Sequence, residues 1–494
     1  MPDSTTPTAA PPTPDAATPA PPAAPLTADH TQTVLRVLVL SAFVVILNET
    51  IMVNAIPRLM REFAVPATSA QWLSTAFMLT MAVVIPVTGW FLQRVTTRAA
   101  YAVAMALFVA GTALAMLAPA FPVLLVARVV QAAGTAVMMP LLMTTLLTLV
   151  PPQQRGRVMG NVTLVMSVAP ALGPAVSGLL LQLGSWRLIF AAVLPVAGAV
   201  AGVGLRTLVN ASEPSASRVD WPSVALSAVG FGALVYGLSG LGAPGAEPAV
   251  PPLALVGLGG VALAVFARRQ VALQRTTGPL LDLRTLTHRH FTVALALMCL
   301  SFMALMGAMI LLPLYLQEVL GLTTLVTGLL LMPGGLAMGL LGPRVGRAYD
   351  RVGAPRLVVP GAAVMLLVLG ALTQVEAGTP PWVVLALHVV LSVGLALVFT
   401  PVFTSGLAVL PPHLYAHGSA VLGSLQQVAA AAGTAVTVAV MAARAAASGA
   451  EGPAALADGV RWGFGVGATL AVGVLVLALL VRTPATEGDA AERA

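Results

Sequence analysis

The hydrophobic and polar positions of this chain form long apolar blocks separated by short polar connections. The blocks last about 16–28 residues, which is enough for a helix to cross a hydrocarbon core of ~30 Å, allowing for tilt. They lack the period-two alternation of a membrane β-strand. We place them at residues 34–57, 72–92, 99–118, 121–143, 158–182, 187–209, 222–241, 252–267, 291–316, 326–348, 356–374, 382–405, 416–443 and 461–481. The pattern therefore predicts an all-α polytopic membrane protein with fourteen spans.

Composition supports the membrane assignment. Of the 494 residues, 58% are hydrophobic and only 8% are charged, with a mean hydropathy of +0.95. A soluble domain is about a quarter charged and could not bury this much apolar surface. The sequence contains no phosphate-binding loop, no HExxH and no Cys/His cluster, and its single cysteine, Cys299, excludes an internal disulfide framework. We expect no enzyme, no metal and no cofactor.

The arginines predict the orientation in the membrane. All 24 basic residues are Arg. If the N-terminus is cytoplasmic, 18 of them fall on the cytoplasmic side and five, Arg58, Arg61, Arg187, Arg444 and Arg461, fall outside. Because cytoplasmic connections are enriched in basic residues, both termini are predicted to be cytoplasmic. This topology accounts for the net charge of +7 without a nucleic-acid partner.

Composition also divides the chain into regions. Residues 1–33, rich in Pro, Ala and Thr, predict a disordered cytoplasmic tail without a cleaved signal peptide. We expect a six-helix bundle at 34–209, two linker spans with a cytoplasmic loop at 210–290, a second six-helix bundle at 291–481, and a tail at 482–494. The basic loop Arg268–His290 has two interpretations, a solvated linker near lipid headgroups or a regulatory site.

Two similar segments follow the second and tenth spans, GWFLQRVTTR (Gly89–Arg98) and GPRVGRAYDRVG (Gly342–Gly353). Their recurrence indicates an internal duplication with two helices inserted between the halves, a plan typical of secondary transporters. In the second segment we expect close helix approach at the glycines and a charged latch between helix ends. The residues assigned to these devices are Gly89, Arg94, Arg98, Gly342, Gly346, Arg347, Asp350 and Arg351.

One carboxylate, Glu49, lies deep inside an apolar block. A charge in hydrocarbon costs several kcal/mol, so such a residue indicates function, and a titratable carboxyl at this depth suits proton-driven transport. Glu49 lies about 12 Å below the end of its span and Arg128 about 10 Å below the same surface. We predict electrostatic coupling between them, directly or through Gln131 or water. The alternative is a permanently hydrogen-bonded structural Glu.

Other intramembrane polar residues are candidates for a substrate cavity. A role in hydrogen bonding between helices is the alternative for each of them. His388 could also relay protons. The candidates are Asn48, Asn54, Gln131, His388, Gln426 and Gln427.

Several motifs occur in a characteristic order, namely LNETIMVNAIP (47–57), ARVVQAAGTA (127–136), GNVTLVMSVAPALGPAVSG (160–178) and SWRLIF (185–190). With them, residues 34–480 resemble the fourteen-span drug:proton antiporter branch of the major facilitator superfamily. Ala133, Ala169 and Ser177 replace motif glycines, and Gln93 replaces an Asp. The resemblance implies a conformational role for helix 5, carried by Gly160, Gly173, Pro174 and Gly178, which we assign to hinge packing rather than ligand contact.

The resemblance also implies a function. We expect a monomeric antiporter in the bacterial plasma membrane that exports lipophilic, in particular cationic, compounds, with protons as the coupling ion and lipids as its surroundings. Open alternatives are an exporter of an endogenous metabolite, lipid or peptide, a proton symporter, and a membrane sensor that kept the fold without transport.

Overall fold

The computed structural model describes residues 28–210, 219–241, 250–275, 278–449 and 452–481. Over these residues the chain is helical and contains no strand, as the sequence predicts. Fourteen helices there are long and apolar enough to span a membrane. They are α1 Ala28–Ile51, α2 Ala67–Arg94, α3 Thr97–Met116, α4 Phe121–Leu149, α5 Arg155–Leu183, α6 Arg187–Thr207, α7 Trp221–Leu241, α8 Pro252–Leu273, α9 Arg289–Leu314, α10 Thr324–Val352, α11 Pro355–Leu372, α12 Pro381–Ala408, α13 Tyr415–Ala447 and α14 Pro453–Leu480.

Some helices extend beyond the apolar blocks because polar turns can continue a helix into water. The first helix starts at Ala28, six residues before the apolar block, and α8 continues past residue 267 to Leu273. The remainder of the predicted tails, residues 1–27 and 482–494, lies outside the described residues.

The first six and last six helices form two bundles that repeat the same packing. In the first bundle α1 contacts α4, α5 and α6, while α3 contacts α4 and α6, and α2 contacts α4. The second bundle repeats each of these pairs with a helix number eight higher, α9 taking the place of α1. The bundles meet along α5 with α10 and along α2 with α13. These repeated contacts match the major facilitator architecture expected from the sequence.

The two additional helices pack together, and α7 lies against both bundles through α2 and α13. Small residues bring α7 and α8 together, since a Cβ at Gly259 would meet the Leu234 backbone nitrogen at 2.6 Å. An ion pair between Arg269 and Asp220 closes the pair at one end, with Nε to Oδ2 at 2.6 Å. Intimate packing of small residues is the usual way membrane helices associate.

Part of the loop after α8 packs against protein, which differs from the solvated-linker interpretation, while the regulatory-site interpretation stays a prediction. Leu280 and Leu281 are buried, and the Leu281 amide donates to Gln270 Oε1 at 3.1 Å. Gln270 in turn donates to Ser223 Oγ at 2.7 Å. The burial of two leucines offsets the entropic cost of ordering the loop. The number of basic residues in the loop does not predict this packing.

The arginine-rich end of the molecule comprises the connections α2–α3, α4–α5 and α10–α11. At the opposite end, the arginines bind carbonyls and rings. Arg58 donates to the Leu181 carbonyl at 2.9 Å, and Arg461 donates to the Thr373 carbonyl at 2.9 Å. Arg187 pairs with Glu62 at 2.7 Å. Their structural partners explain why these arginines occur at an end otherwise poor in positive charge.

Candidate functional site

Glu49 lies in the last turn of α1, two residues before the helix ends at Ile51. Its neighbour Thr50 is held where α1 crosses α5, because Thr50 fills the space left by the missing side chain of Gly173. Thr50 Oγ1 also donates to the Leu47 carbonyl at 3.0 Å. The backbone at Glu49 is therefore fixed by a tight helix crossing.

Arg128 is almost fully buried, with 1% of its surface exposed. Its Nη1 donates to Gln131 Oε1 at 3.1 Å and its Nε to the Leu73 carbonyl at 3.4 Å. Its Cζ lies 4.2 Å from the centroid of the Phe77 ring. These contacts, which involve the fork and the flat face of the guanidinium, make Arg128 a fixed positive charge.

Gln131 links Arg128 to α3. Its Nε2 donates to Thr112 Oγ1 at 2.9 Å, and Thr112 donates to the Phe108 carbonyl at 2.7 Å. Gly111 leaves room for the Gln131 side chain, because a Cβ there would meet Gln131 Cγ at 2.7 Å. Gln131 therefore positions Arg128 rather than lining an open cavity.

Among the described residues, Glu49 and Arg128 do not form an ion pair, and their electrostatic coupling stays a prediction. The arginine is already bound to Gln131, to Leu73 and to the Phe77 ring, so it is not tied to the carboxylate. A carboxyl so placed can bind a proton without breaking a direct ion pair.

The remaining cavity candidates differ in their surroundings. Asn48 is buried and neither Oδ1 nor Nδ2 has a hydrogen-bond partner, and the same holds for Gln426 Nε2. Gln427 is half-buried, and the side chain of Asn54 lies outside the described residues. A buried unpaired polar atom costs about 1–3 kcal/mol, so Asn48 and Gln426 have hydrogen-bonding capacity that the described residues do not use. Their place in a substrate cavity stays a prediction.

His388 lies between α12 and α10. Its Nε2 is 3.2 Å from the Leu331 carbonyl oxygen, while its Nδ1 is buried and unpaired. The ring packs on Gly334, where a side chain would collide with it. His388 is half-buried and contacts its own bundle, and its place in a substrate cavity or a proton relay stays a prediction.

The glycine-rich segments bring α5 and α10 into backbone contact at the arginine-rich end. Gly160 packs against Gly342, and Gly156 packs against Gly346. A Cβ at Gly342 would meet Leu164 N at 3.2 Å and Thr163 Cβ at 3.2 Å. Only residues without side chains allow this approach.

The charged latch forms differently from the prediction. Asp350 Oδ1 accepts from the Gly156 amide at 2.8 Å, and Oδ2 accepts from the Arg157 amide at 2.9 Å. Arg351 is exposed, and Arg347 is exposed with its Nε 3.3 Å from the Pro343 carbonyl of its own helix. The first turn of α5 has amides without helical partners and a positive dipole end, so it binds the carboxylate in place of the arginines.

The equivalent contact between α2 and α13 is neutral. Gly89 packs on His417, whose Nδ1 would lie 2.9 Å from an added Cβ. Gln93 Nε2 donates to the His413 carbonyl at 2.8 Å. Arg94 lies over the Trp90 ring, with 5.8 Å between Cζ and the centroid, and Arg98 is exposed. Among the described residues, no carboxylate of α2 or α13 bridges the two bundles at this contact.

The glycines of α5 serve separate purposes. Gly160 faces α10 and Gly173 faces Thr50 of α1, but nothing lies within 4 Å of a Cβ built on Gly178. The prediction of close packing at Gly178 is therefore wrong, because that face of the helix meets no neighbour. The side chain of Pro174 lies outside the described residues.

Further contacts between the bundles were not predicted. Arg155 is buried and its Nη2 lies 3.4 Å from Tyr415 Oη, and Thr400 Oγ1 donates to Thr163 Oγ1 at 2.8 Å. A buried Arg at a helix start, followed by glycines, was the available signal for the first pair. The described residues contain no group of three His, Cys, Asp or Glu placed to hold a metal ion.

Comparison with known proteins agrees with this architecture. The family model described as Major Facilitator Superfamily matches residues 38–434. The uncharacterized MFS-type transporter YcnB of Bacillus subtilis is 38% identical over 92% of this chain and 96% of its own length. The lincomycin resistance protein LmrB of Listeria monocytogenes is 38% identical over 82% of this chain and 85% of its own length. The multidrug resistance protein Stp of Mycobacterium tuberculosis is 28% identical over 82% of this chain and 74% of its own length.

Solved structures share the fold at low sequence identity. The proton:xylose symporter XylE superposes with a TM-score of 0.64 at 15% identity, over 93% of this chain and 97% of its own. The human organic anion transporter MFSD10 superposes with a TM-score of 0.62 at 15% identity, over 91% of this chain and 99% of its own. With fourteen candidate spans among the described residues, twelve of them in two repeated bundles, the chain is a membrane transporter, not an enzyme, and belongs to the Major Facilitator Superfamily.

Proposed function

We propose that this protein is a proton-coupled exporter of lipophilic, in particular cationic, compounds across the bacterial plasma membrane. Glu49 binds a proton from the outside and releases it to the cytoplasm, and the substrate moves in the opposite direction. The two bundles rock around the midplane to alternate access.

The observation that carries this proposal is the relation between Glu49 and Arg128. A fixed buried cation favours the ionised carboxylate, whereas burial in an apolar bundle favours the protonated one. Because no direct ion pair joins the two residues within the described chain, small changes in hydration or in a nearby cationic substrate can shift this balance. A substrate cation that approaches Glu49 competes with the proton for the same carboxylate, which is the requirement for antiport.

The positions of the cross-bundle contacts support an assignment of the conformation. The contacts of Gly156, Gly160, Asp350, Gly89 and Gln93 all lie at the arginine-rich end. The distribution of arginines supports a cytoplasmic location for that end, and for both termini. The structure then corresponds to a carrier closed to the cytoplasm, with Glu49 nearer to the outer surface.

The substrate class rests on the relatives and on the chemistry of the spans. Relatives at 28–38% identity carry the names lincomycin resistance protein and multidrug resistance protein. The spans are apolar on average, and Asn48 and Gln426 are among their residues that carry an unpaired buried amide group. Apolar surroundings with few directional groups distinguish substrates weakly, which suits a broad range of hydrophobic compounds.

Uptake into inside-out vesicles tests the proposal. Vesicles that contain the protein and an energised membrane should accumulate ethidium, and the accumulation should collapse when an ionophore abolishes the pH gradient. Accumulation unaffected by the ionophore would contradict proton coupling. If no dye moves, an endogenous metabolite, lipid or peptide becomes the substrate to test, and a protein that moves none of these would be the non-transporting sensor.

A further inference from the structure

The fourth helix of each bundle carries the same register of residues. Arg128, Gly134 and Pro151 of the α4 segment each have a counterpart 260 positions later, namely His388, Gly394 and Pro411. The matched glycines have matched roles, because Gly134 packs on the Ala104 carbonyl of α3 and Gly394 packs on the Gly361 carbonyl of α11. His388 thus occupies in the second bundle the place of Arg128 in the first.

The two side chains also bind equivalent partners. Arg128 Nε donates to the Leu73 carbonyl of α2, and His388 Nε2 lies 3.2 Å from the Leu331 carbonyl of α10. Helices α2 and α10 hold the second place in their bundles. In each bundle, a side-chain nitrogen of the fourth helix therefore lies within hydrogen-bond distance of a leucine carbonyl of the second helix.

The carbonyl determines the tautomer of the neutral His388 ring. A carbonyl oxygen only accepts, so Nε2 carries the hydrogen and Nδ1 has a bare lone pair. Nδ1 is buried without a partner, and an unpaired buried acceptor costs about 1–3 kcal/mol. The conformation seen here is therefore not the one in which His388 is best satisfied, and hydration of Nδ1 in another conformation would allow it to take a proton.

No described charged group faces His388. The imidazole contacts the uncharged Gly334 of α10, and Ser392 Oγ of α12 donates to the His388 carbonyl at 2.9 Å. Most charged and titratable residues of the helices packed on α12 lie near the helix ends, Cys299 lies in the middle of α9, and Glu376 lies in the preceding connection. These residues are Arg289, His290 and Cys299 of α9, Arg344, Arg347, Tyr349, Asp350 and Arg351 of α10, Arg356 of α11, Arg155 and Arg157 of α5, and Tyr415, His417 and Arg444 of α13. Without a counter-charge, the neutral ring is favoured in this conformation.

The His388 environment is tied to the contact between the bundles. Gly334 touches the imidazole, and the next residue, Gly335, packs on Ala171 of α5 with 2.7 Å from an added Cβ to the Ala171 Cβ. Pro333 lies immediately before them within α10 and removes one helical hydrogen bond. When the bundles rock, a shift of α10 against α5 moves Gly334 and with it the Cδ2–Nε2 edge of the imidazole that it touches, so the packing of the whole ring changes.

From this geometry we propose that His388 is a second proton-binding residue of the transport cycle, on the second bundle, in addition to Glu49. Histidine changes charge near neutral pH, which the arginine at the equivalent place does not. His388 is neutral in the conformation described here and takes up a proton after the bundles move. The inference rests on the proposed proton-coupled transport.

The test is the number of protons exchanged per substrate, measured from the reversal of ethidium flux in proteoliposomes with imposed pH gradients. The wild type should exchange two protons, and His388→Gln, whose amide can still donate to Leu331, should exchange one. His290→Gln is the matched control, because His290 is exposed in the first turn of α9, and it should behave as the wild type.

Two results would overturn the inference. Equal proton numbers in the wild type and in His388→Gln would leave the proposed function intact but remove His388 from it. An exchange of one proton per substrate in the wild type would also remove His388 from the proposed function. This measurement needs no variant, so the test does not depend on the folding of His388→Gln. Flux with no proton exchange in the wild type would instead defeat the proposed function itself.

Discussion

Thr50 and Gly173 are in direct contact where α1 crosses α5, one residue from the carboxylate proposed to bind the proton. The contact explains why a residue without a side chain is needed in the middle of α5. It also connects the helix that contacts α10 across the bundles to the helix that carries Glu49.

Replacement of Gly173 by Ala should therefore disturb the proton site. The new methyl group collides with Thr50 and must displace α1, at a cost of about 1–3 kcal/mol for overpacking. We expect a lower melting temperature and a loss of proton-driven transport. Gly178→Ala is the control, since no atom lies within 4 Å of its Cβ position. Equal effects of the two substitutions would contradict the role of the crossing.

Arg128→Lys should abolish most transport although it keeps the positive charge. Lysine cannot simultaneously donate to Gln131 and Leu73 and lie flat on the Phe77 ring. We expect a drop in ethidium flux of at least about tenfold, which corresponds to about 1.4 kcal/mol. Arg61→Lys, at an exposed arginine, should leave the flux unchanged. Normal flux in Arg128→Lys would show that charge alone suffices.

The close glycine contact between α5 and α10 should control which end of the carrier is closed. Gly346→Ala forces the two backbones apart, and a cost of about 1–3 kcal/mol would change the population of the closed form by roughly 5–150-fold. Distances between spin labels at the exposed positions Arg157 and Arg347, in a protein whose Cys299 is replaced, should lengthen. Gly370→Ala, with nothing within 4 Å, is the control, and unchanged distances in Gly346→Ala would contradict the assignment.

The Asp220–Arg269 ion pair predicts a pH effect on stability. Hydrogen bonds from Arg269 lower the pKa of Asp220 from 3.8 to about 2, against the opposing effect of burial. A lowered carboxyl pKa stabilises the fold at pH values above 3.8, and this contribution is lost as the pH falls towards 2. Asp220→Asn should therefore lower the melting temperature at pH 7, and the difference from the wild type should shrink between pH 4 and pH 2. Asp29→Asn, at an exposed acid, should show no such dependence, and a constant Asp220→Asn difference at acid pH would exclude the ion pair as its cause.

The sequence predicted features that depend on one helix and missed those that depend on how two helices face each other. Apolar length predicted the spans, and the recurrence around Gly89 and Gly346 predicted the duplication. The glycines of α5 do not reveal which face of the helix meets a neighbour. Gly178 was therefore predicted to pack closely, whereas only Gly173 and Gly160 do so. Asp350 was paired with nearby arginines because their charges are visible in the sequence, whereas the free amides at the start of α5 are not.

The relation of Arg128 to its partners was only partly predictable. Gln131 lies one helical turn away and was expected to be near it, but Thr112, Leu73 and Phe77 come from other helices. The equivalence of Arg128 and His388 was present in the sequence as a constant spacing to Gly134 and Gly394. The spacing alone does not show that both residues lie on carbonyls of equivalent helices, which depends on how the helices pack.

The most direct test of the central claim follows ethidium flux and internal pH together in proteoliposomes that contain the wild type, Glu49→Gln or Glu318→Gln. Glu318 is exposed and serves as the matched control. The account predicts that an imposed pH gradient drives dye against counterflowing protons in the wild type and in Glu318→Gln. It predicts that in Glu49→Gln the pH gradient no longer drives dye movement and the dye no longer exchanges for protons. Gradient-driven dye movement with normal proton counterflow in Glu49→Gln would contradict the assignment of Glu49 as the coupling residue.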